Sequence, residues 1–206
     1  RGLEFRREKP NILRLSSCTV QRAGRRPVRL DYPRPYWQVF DDFKARESYE
    51  SYLGEVPVTS SVPVKELTYA FVLQVRDLPR SCPYLVLDPR CARGEFRIRL
   101  NGQPVGGRHS FPLTNITPLR VPLRPLKKGK NRLEFCFAVK NAMEGLLSQT
   151  FVEGEFEVGV RGRSAVLTRA VNRVDPAGWT AAGLPHYMGT GIYSWEYLYD
   201  LGHRHD

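Results

Sequence analysis

The sequence predicts an all-β protein, an antiparallel β-sandwich with one or two short helices, on three observations. Apolar and polar residues alternate with period two in several runs along the 206 residues. Gly- and Pro-rich turns divide those runs about every ten residues, the spacing of a sandwich. Asn101-Gly102 follows directly on one run. Both residues tolerate the positive φ that a tight type I′ hairpin demands.

The runs follow in order. Tyr69, Phe71, Leu73 and Val75 form one inward comb, and Phe96, Ile98 and Leu100 a second, with Arg97 and Arg99 facing out. Pro104-Val105-Gly106-Gly107 opens the return from the Asn101-Gly102 turn. Leu133, Phe135, Phe137 and Val139 share the face opposite Glu134, and Phe156, Val158 and Val160 alternate with Glu155, Glu157 and Arg161. Asp41 to Leu53 lacks a strand pattern and is expected to be a short helix or an irregular excursion. Lys140 to Ser148 reads similarly, with Gly145 ending any helical turn. No internal repeat or low-complexity tract divides the chain, so residues 1–206 are expected to form a single sandwich domain. The chain opens on Arg1 rather than methionine, and a domain excised from or appended to a larger multidomain protein is expected.

The hydrophobic content of 41% suffices for a sizeable core. No apolar run reaches the ~18–20 residues of a membrane span, so no membrane partner is expected. The net charge of +11 is unevenly placed: residues 1–30 carry nine basic side chains against two acidic, and residues 90–132 eleven against one. Such blocks can mark a polyanion-binding surface, but solvated arginine-rich faces are the expected reading, and nucleic acid is not an expected partner. Cys18, Cys82, Cys91 and Cys136 form no CxxC pair. Buried free thiols are expected, with a Cys82–Cys91 bridge as the alternative.

Several segments together resemble a known family. Asn11-Ile12-Leu13-Arg14-Leu15 is similar to its opening strand, and Pro57-Val58 with Tyr69-Ala70-Phe71 to the approach to its second long strand. Phe96 to Val105 resembles its strand, Asn-Gly, Val hairpin, and Leu126-Lys127-Lys128-Gly129-Lys130-Asn131 its Leu-x-x-Gly-x-Asn turn. Glu144-Gly145-Leu146 through Val152-Glu153-Gly154-Glu155-Phe156-Glu157-Val158 resembles a further strand of the pattern. Gly183-Leu184-Pro185-His186-Tyr187-Met188-Gly189-Thr190-Gly191-Ile192-Tyr193 closes it. Over roughly residues 11–199 the chain resembles the galactose-binding-domain-like module of large bacterial glycoside hydrolases, most closely the α-L-rhamnosidase-like enzymes. The resemblance implies a jelly-roll sandwich, a glycan or polysaccharide partner, a neighbouring catalytic domain, and an extracellular or periplasmic setting. It admits a structural calcium ion without assigning residues to it; no other cofactor is implied.

Catalytic signatures are missing from the sequence: no serine-hydrolase elbow, phosphate loop, HExxH helix or dinucleotide fingerprint. Glycoside hydrolysis needs two carboxyl groups about 5–10 Å apart. Glu153, Glu155 and Glu157 read as one solvated strand face rather than such a pair. Glu196 and Asp200 have no evident partner, and His203 with His205 belong to a terminal tail. The Asn115-Ile116-Thr117 sequon matters only in a glycosylating pathway.

A sugar ring asks for an aromatic stacking face and nearby hydrogen-bonding groups. Tyr36 and Trp37, Arg108 and His109, Asn141, and Trp179, His186 and Tyr187 offer that mixture in loop-like sequence and are the candidate carbohydrate-binding residues. Covering the end of the sandwich is the competing and favoured role for Trp179 and Tyr187. The comb of Tyr193, Trp195, Tyr197 and Tyr199 is expected to be core. The expected function is therefore a non-catalytic carbohydrate-binding or accessory module. A purely structural brace within a multidomain glycosidase is the alternative, and a polyanion-binding module a more distant one.

Overall fold

The structure, a computed structural model, describes residues 3–35, 38–40, 65–111, 117–140, 143–161, 164–170, 173–174 and 178–194. Strands follow one another as β1 (Leu3–Arg7), β2 (Asn11–Leu15), β3 (Cys18–Arg22), β4 (Val28–Leu30), β5 (Lys65–Val75) and β6 (Tyr84–Leu87). After a 3-10 turn at Pro89–Cys91 come β7 (Ala92–Arg93), β8 (Phe96–Leu100), β9 (Gln103–His109), β10 (Leu119–Pro122) and β11 (Gly129–Val139). The chain continues through β12 (Gly145–Leu146), β13 (Thr150–Gly154), β14 (Phe156–Arg161), β15 (Ser164–Arg169), β16 (Arg173–Val174) and β17 (Gly191–Ser194).

The architecture is the expected β-sandwich. One layer is a four-stranded sheet in the order β10-β6-β13-β2, and the other a larger sheet in the order β14-β15-β5-β11-β8-β9, with β3 also on β5 and β4 on β3. Pairings are antiparallel apart from β15 on β5. Alternation decides which side chains meet between the layers. Leu13, Leu15, Leu85, Leu87, Val121 and Val152 of the smaller sheet pack against Tyr69, Phe71, Leu73, Phe96, Ile98, Leu133, Phe135 and Phe137 of the larger in one cluster. Edge-on rings such as Phe71 against Phe135, centroids 5.7 Å apart, pack side by side on the inner face of the larger sheet.

Polar side chains organise the turns. Asn101 (φ 54) and Gly102 (φ 82) form the hairpin between β8 and β9 in the left-handed conformations the pair predicted. Asn131 is buried and closes the turn before it: its Nδ2 donates to the Lys127 carbonyl at 2.7 Å, and its Oδ1 accepts from the Lys127 N–H at 3.0 Å and from Asn101 Nδ2 at 2.9 Å.

Two local expectations are corrected. Gly145 does not end a helix: it lies in β12, paired with Arg93, and a side chain there would run into the Tyr69 hydroxyl. Its φ of 128° suits glycine alone. Glu153, Glu155 and Glu157 do not share one strand, because the chain bends at Gly154-Glu155 and passes from the smaller sheet in β13 to the larger in β14. At Gly154 a Cβ would stand 3.0 Å from Pro83 Cβ, so the bend is tightly packed. Asp41 to Leu53, the other expected helix, lies outside the described residues.

A third, smaller sheet, β16-β1-β17, joins the first strand to the closing segment. It carries its own cluster, Phe5, Leu184 and Tyr187, with Trp179, Ala182 and Tyr193 packed on it. All four cysteines are free. Among the described residues no helix is long and apolar enough to cross a membrane.

Candidate functional site

The closing segment spends its aromatic side chains on packing. Trp179 Nε1 donates to the Tyr193 hydroxyl at 2.7 Å, and the Trp179 ring meets Tyr187 edge-on at 5.2 Å. Tyr187 is buried; its hydroxyl donates to the Thr190 carbonyl at 2.8 Å and accepts from the Lys9 N–H at 3.2 Å. Asn11 fastens this cap to the sandwich, its buried Nδ2 donating to the carbonyls of Phe156 and Gly183, both at 3.0 Å. Trp179 and Tyr187 thus serve the end of the sandwich, while His186, between Pro185 and Tyr187, stays exposed.

The other expected residues are dispersed. Arg108 and His109 lie on β9, at the far edge of the larger sheet. Arg108 Nη1 is held by Glu95 at 3.0 Å. The His109 ring is tilted against Phe96 at 5.5 Å with its Nε2 buried and unpartnered, and burial holds its pKa below the ordinary histidine value. Tyr36, Trp37, Asn141, Trp195, Tyr197, Tyr199 and Asn115 lie outside the described residues, as do Glu196, Asp200, His203 and His205. The acidic side chains are engaged rather than paired for catalysis: Glu155 binds Arg7 at 2.8 Å and Glu153 binds Arg120 at 3.3 Å.

Of the expected residues, His186 borders a cleft, and the reason for the cleft lies in the sheet. One edge of β5 is shared by two strands: β3 covers Leu67 to Ala70, and β15 covers Gln74 and Val75. Phe71, Val72 and Leu73 have no partner on that edge, and the sheet is notched there. The notch faces β2, the edge strand of the other sheet, and the Ser16-Ser17 link that carries the chain from β2 to β3. A cleft of about 760 Å³ results, open to solvent.

Register sets its rim. Arg29 of β4 stands opposite Thr19 of β3, which stands opposite Ala70 of β5. Lys130 of β11 stands opposite Gln74 of β5, which stands opposite Val166 of β15. Arg14 reaches in from β2 and His186 from the closing segment, over a floor that includes Leu13, Leu15, Phe71 and Leu73. Partial desolvation and the nearby Arg14 charge hold the largely exposed His186 below the ordinary histidine pKa. Burial pushes the Cys18 thiol up to about 12, leaving it protonated and unreactive.

Among the described residues the lining contains no carboxylate. These residues offer hydroxyls, an amide, an imidazole and positive charge. Among the described residues no group of three or more His, Cys, Asp or Glu could hold a metal ion. Reasoning from the sequence missed Arg14, Arg29, Lys130 and Gln74 as neighbours. The basic blocks at 1–30 and 90–132 held the signal, but only the split edge of β5 brings them together.

The chain is thus an all-β sandwich with a cleft at one sheet edge whose described lining is cationic. No protein-family model matches it, and comparison with curated proteins gives no match. Among solved structures it is similar to a β-glucuronidase from Ruminococcus gnavus at 11% identity and TM-score 0.47, over 79% of this chain and 34% of that one. It is also similar to a GH2 β-galacturonidase from Eisenbergiella tayi (15%, TM-score 0.43, 77% and 28%) and a β-D-mannosidase from Dictyoglomus thermophilum (14%, TM-score 0.42, 75% and 25%). The chain spans a third or less of the length of the latter two chains and 34% of the first. Likeness this remote carries no argument about ligand or activity.

Proposed function

We propose that the chain is a non-catalytic carbohydrate-binding accessory module and that the notch beside β5 is its saccharide site. The observation that carries this reading is the cleft's composition. Ser16, Ser17, Thr19, Gln74 and His186 surround an apolar floor, and no carboxylate stands among its described residues. Hydroxyl-rich ligands need such closely spaced donors and acceptors, and an open cleft of this volume lies in the usual range for small-ligand sites. Tyr36, Trp37 and Asn141 belong to the same proposal as loop contacts. A glycoside hydrolase, α-L-rhamnosidase-like or other, is the proposed context, and it rests on the sequence resemblance.

A glycan array with the purified chain tests this directly, followed by calorimetry on Gln74→Ala and His186→Ala. Binding weakened about tenfold by either change is the expected result, the size of one or two lost polar contacts. Silence across the array would retire the binding reading.

A second reading, a brace for a neighbouring catalytic domain, is favoured by Met188 and Ile192. Both are exposed on the closing segment, Met188 at 86%. Solvent-facing apolar side chains of this size suit a contact surface.

A further inference from the structure

We infer that the saccharide taken by the notch beside β5 is an acidic one, carrying a carboxylate or a sulfate ester, bound by Arg14, Arg29 and Lys130. This rests on the cleft being a saccharide site. Three different strands supply the cations, and the sheet register fixes two of them on opposite rims, Arg29 in the Thr19–Ala70 row and Lys130 in the Gln74–Val166 row. Among the described residues none of the three has a carboxylate partner.

Neighbouring cations on the same sheets are treated differently. Arg132, two residues along β11 from Lys130, is held by Glu134 at 2.8 Å. Lys128, two residues the other way, is held by Asp77 at 3.3 Å. The cleft lining, by contrast, gathers Arg14, Arg29 and Lys130 with no counter-charge. Like charges held in one concavity repel one another and focus a positive potential, which an anion relieves.

A second feature favours an acidic ligand over a neutral one. Among the described residues the lining contains neither Trp nor Tyr, and its Phe71 ring is buried in the floor. These described residues give a neutral sugar ring no stacking face, whereas charge-assisted hydrogen bonds to an acid group are roughly twice as strong as neutral ones. The same lack disfavours single-stranded nucleic acid, whose bases need an aromatic platform. The hydroxyls of Ser16, Ser17 and Thr19 and the Gln74 amide suit the ligand's own hydroxyls.

Calorimetry on the whole chain near physiological ionic strength tests the inference. The probes are a uronic-acid oligosaccharide and its carboxyl-reduced counterpart, a sulfated oligosaccharide and its unsulfated parent, and an oligonucleotide of equal charge. The acid-bearing member of at least one pair is expected to bind about tenfold or more tightly than its neutral partner. Which pair shows the difference identifies the acid. Arg29→Gln and Lys130→Gln are each expected to remove about tenfold from acid binding and nothing from neutral binding. Arg90→Gln, which changes the same charge on the exposed 3-10 turn away from the cleft, is expected to change neither. Melting curves confirm that each variant is folded.

Equal affinity within both pairs overturns the acidic inference while leaving the saccharide site standing. Failure of every saccharide to bind removes both. An oligonucleotide that binds as tightly as the acidic sugars, or an Arg90→Gln loss equal to the cleft variants, assigns the effect to overall charge and also overturns it.

Discussion

The sandwich core and the closing cap are both apolar clusters, but they are assembled by different rules. In the core, each strand supplies every second residue, and two sheets press those faces together. In the cap, Phe5 comes from the first strand, and Leu184 and Tyr187 come from a turn-rich segment nearly 180 residues later. The core is held by area and the cap by area plus polar fastenings: Asn11 to Gly183, Tyr187 to Thr190 and Lys9, and Trp179 to Tyr193. Alternation can build a layer without help, whereas a small cluster of three buried side chains needs hydrogen bonds to place it.

The largest difference is expected from truncating one ring in each region. Phe135 is fully buried and meets Phe71 and Phe96, so Phe135→Ala is expected to cost about 3–5 kcal/mol. Phe5 packs on the partly buried rings of Trp179 and Tyr193, and Phe5→Ala is expected to cost about 1.5–3 kcal/mol because the smaller cluster can collapse onto the gap. Urea denaturation measures both. Equal costs would mean that the cap is part of the core's cooperative unit, and the distinction would fall.

The asparagines sharpen the comparison at a smaller scale. Asn131→Ala orphans the Lys127 backbone inside the main sheet's own turn, whereas Asn11→Ala removes one of two donors from each of the Phe156 and Gly183 carbonyls at the junction, which keep Arg7 and the Val158 amide. Asn131→Ala is expected to cost about 1–3 kcal/mol and Asn11→Ala about 0.5–1.5 kcal/mol. Hydrogen exchange separates them. Asn11→Ala should speed exchange of the Leu184 and Val158 amides, which bond to the Trp179 and Gly183 carbonyls, while leaving β11 protected. Uniform loss of protection in both variants would show that Asn11 does not act locally.

The same contrast explains what was legible in the sequence. The combs at 69–75, 96–100 and 133–139 were readable because burial on one face imposes period two, and Asn101-Gly102 because its φ values admit few residues. The role of the Leu-x-x-Gly-x-Asn turn was readable as a pattern, though not that Asn131 would also receive Asn101. Gly145 misled because a glycine after a polar run resembles a helix stop, when its cause is the Tyr69 hydroxyl beside it. Glu153 to Glu157 misled because unbroken alternation conceals a passage between sheets. His186 was singled out for its loop setting, but the cleft beside it was invisible. A notch made by two strands sharing one edge of β5 is a property of topology, and Arg14, Arg29 and Lys130 are far apart in the chain.

The smallest expected effect compares the two histidines through pH. Both have pKa values below the ordinary 6.5, His109 through burial against Phe96 and His186 through burial and Arg14. A histidine whose folded pKa lies below its unfolded value binds fewer protons when folded. Stability therefore falls as pH drops through about 6.5 and levels off only below the folded value. His109→Gln is expected to flatten that part of the melting temperature's pH dependence. His186→Gln should act in the same direction in the free protein. With an acidic saccharide bound the two sites should part. The ligand's negative charge would offset Arg14, Arg29 and Lys130 and raise the His186 pKa, so binding should tighten as pH falls from 7 to 5.5. Calorimetry of the uronate oligosaccharide at the two pH values reads this, and His186→Gln should abolish the gain while His109→Gln keeps it. A gain that survives His186→Gln would place the titrating group elsewhere and remove His186 from the cleft's chemistry.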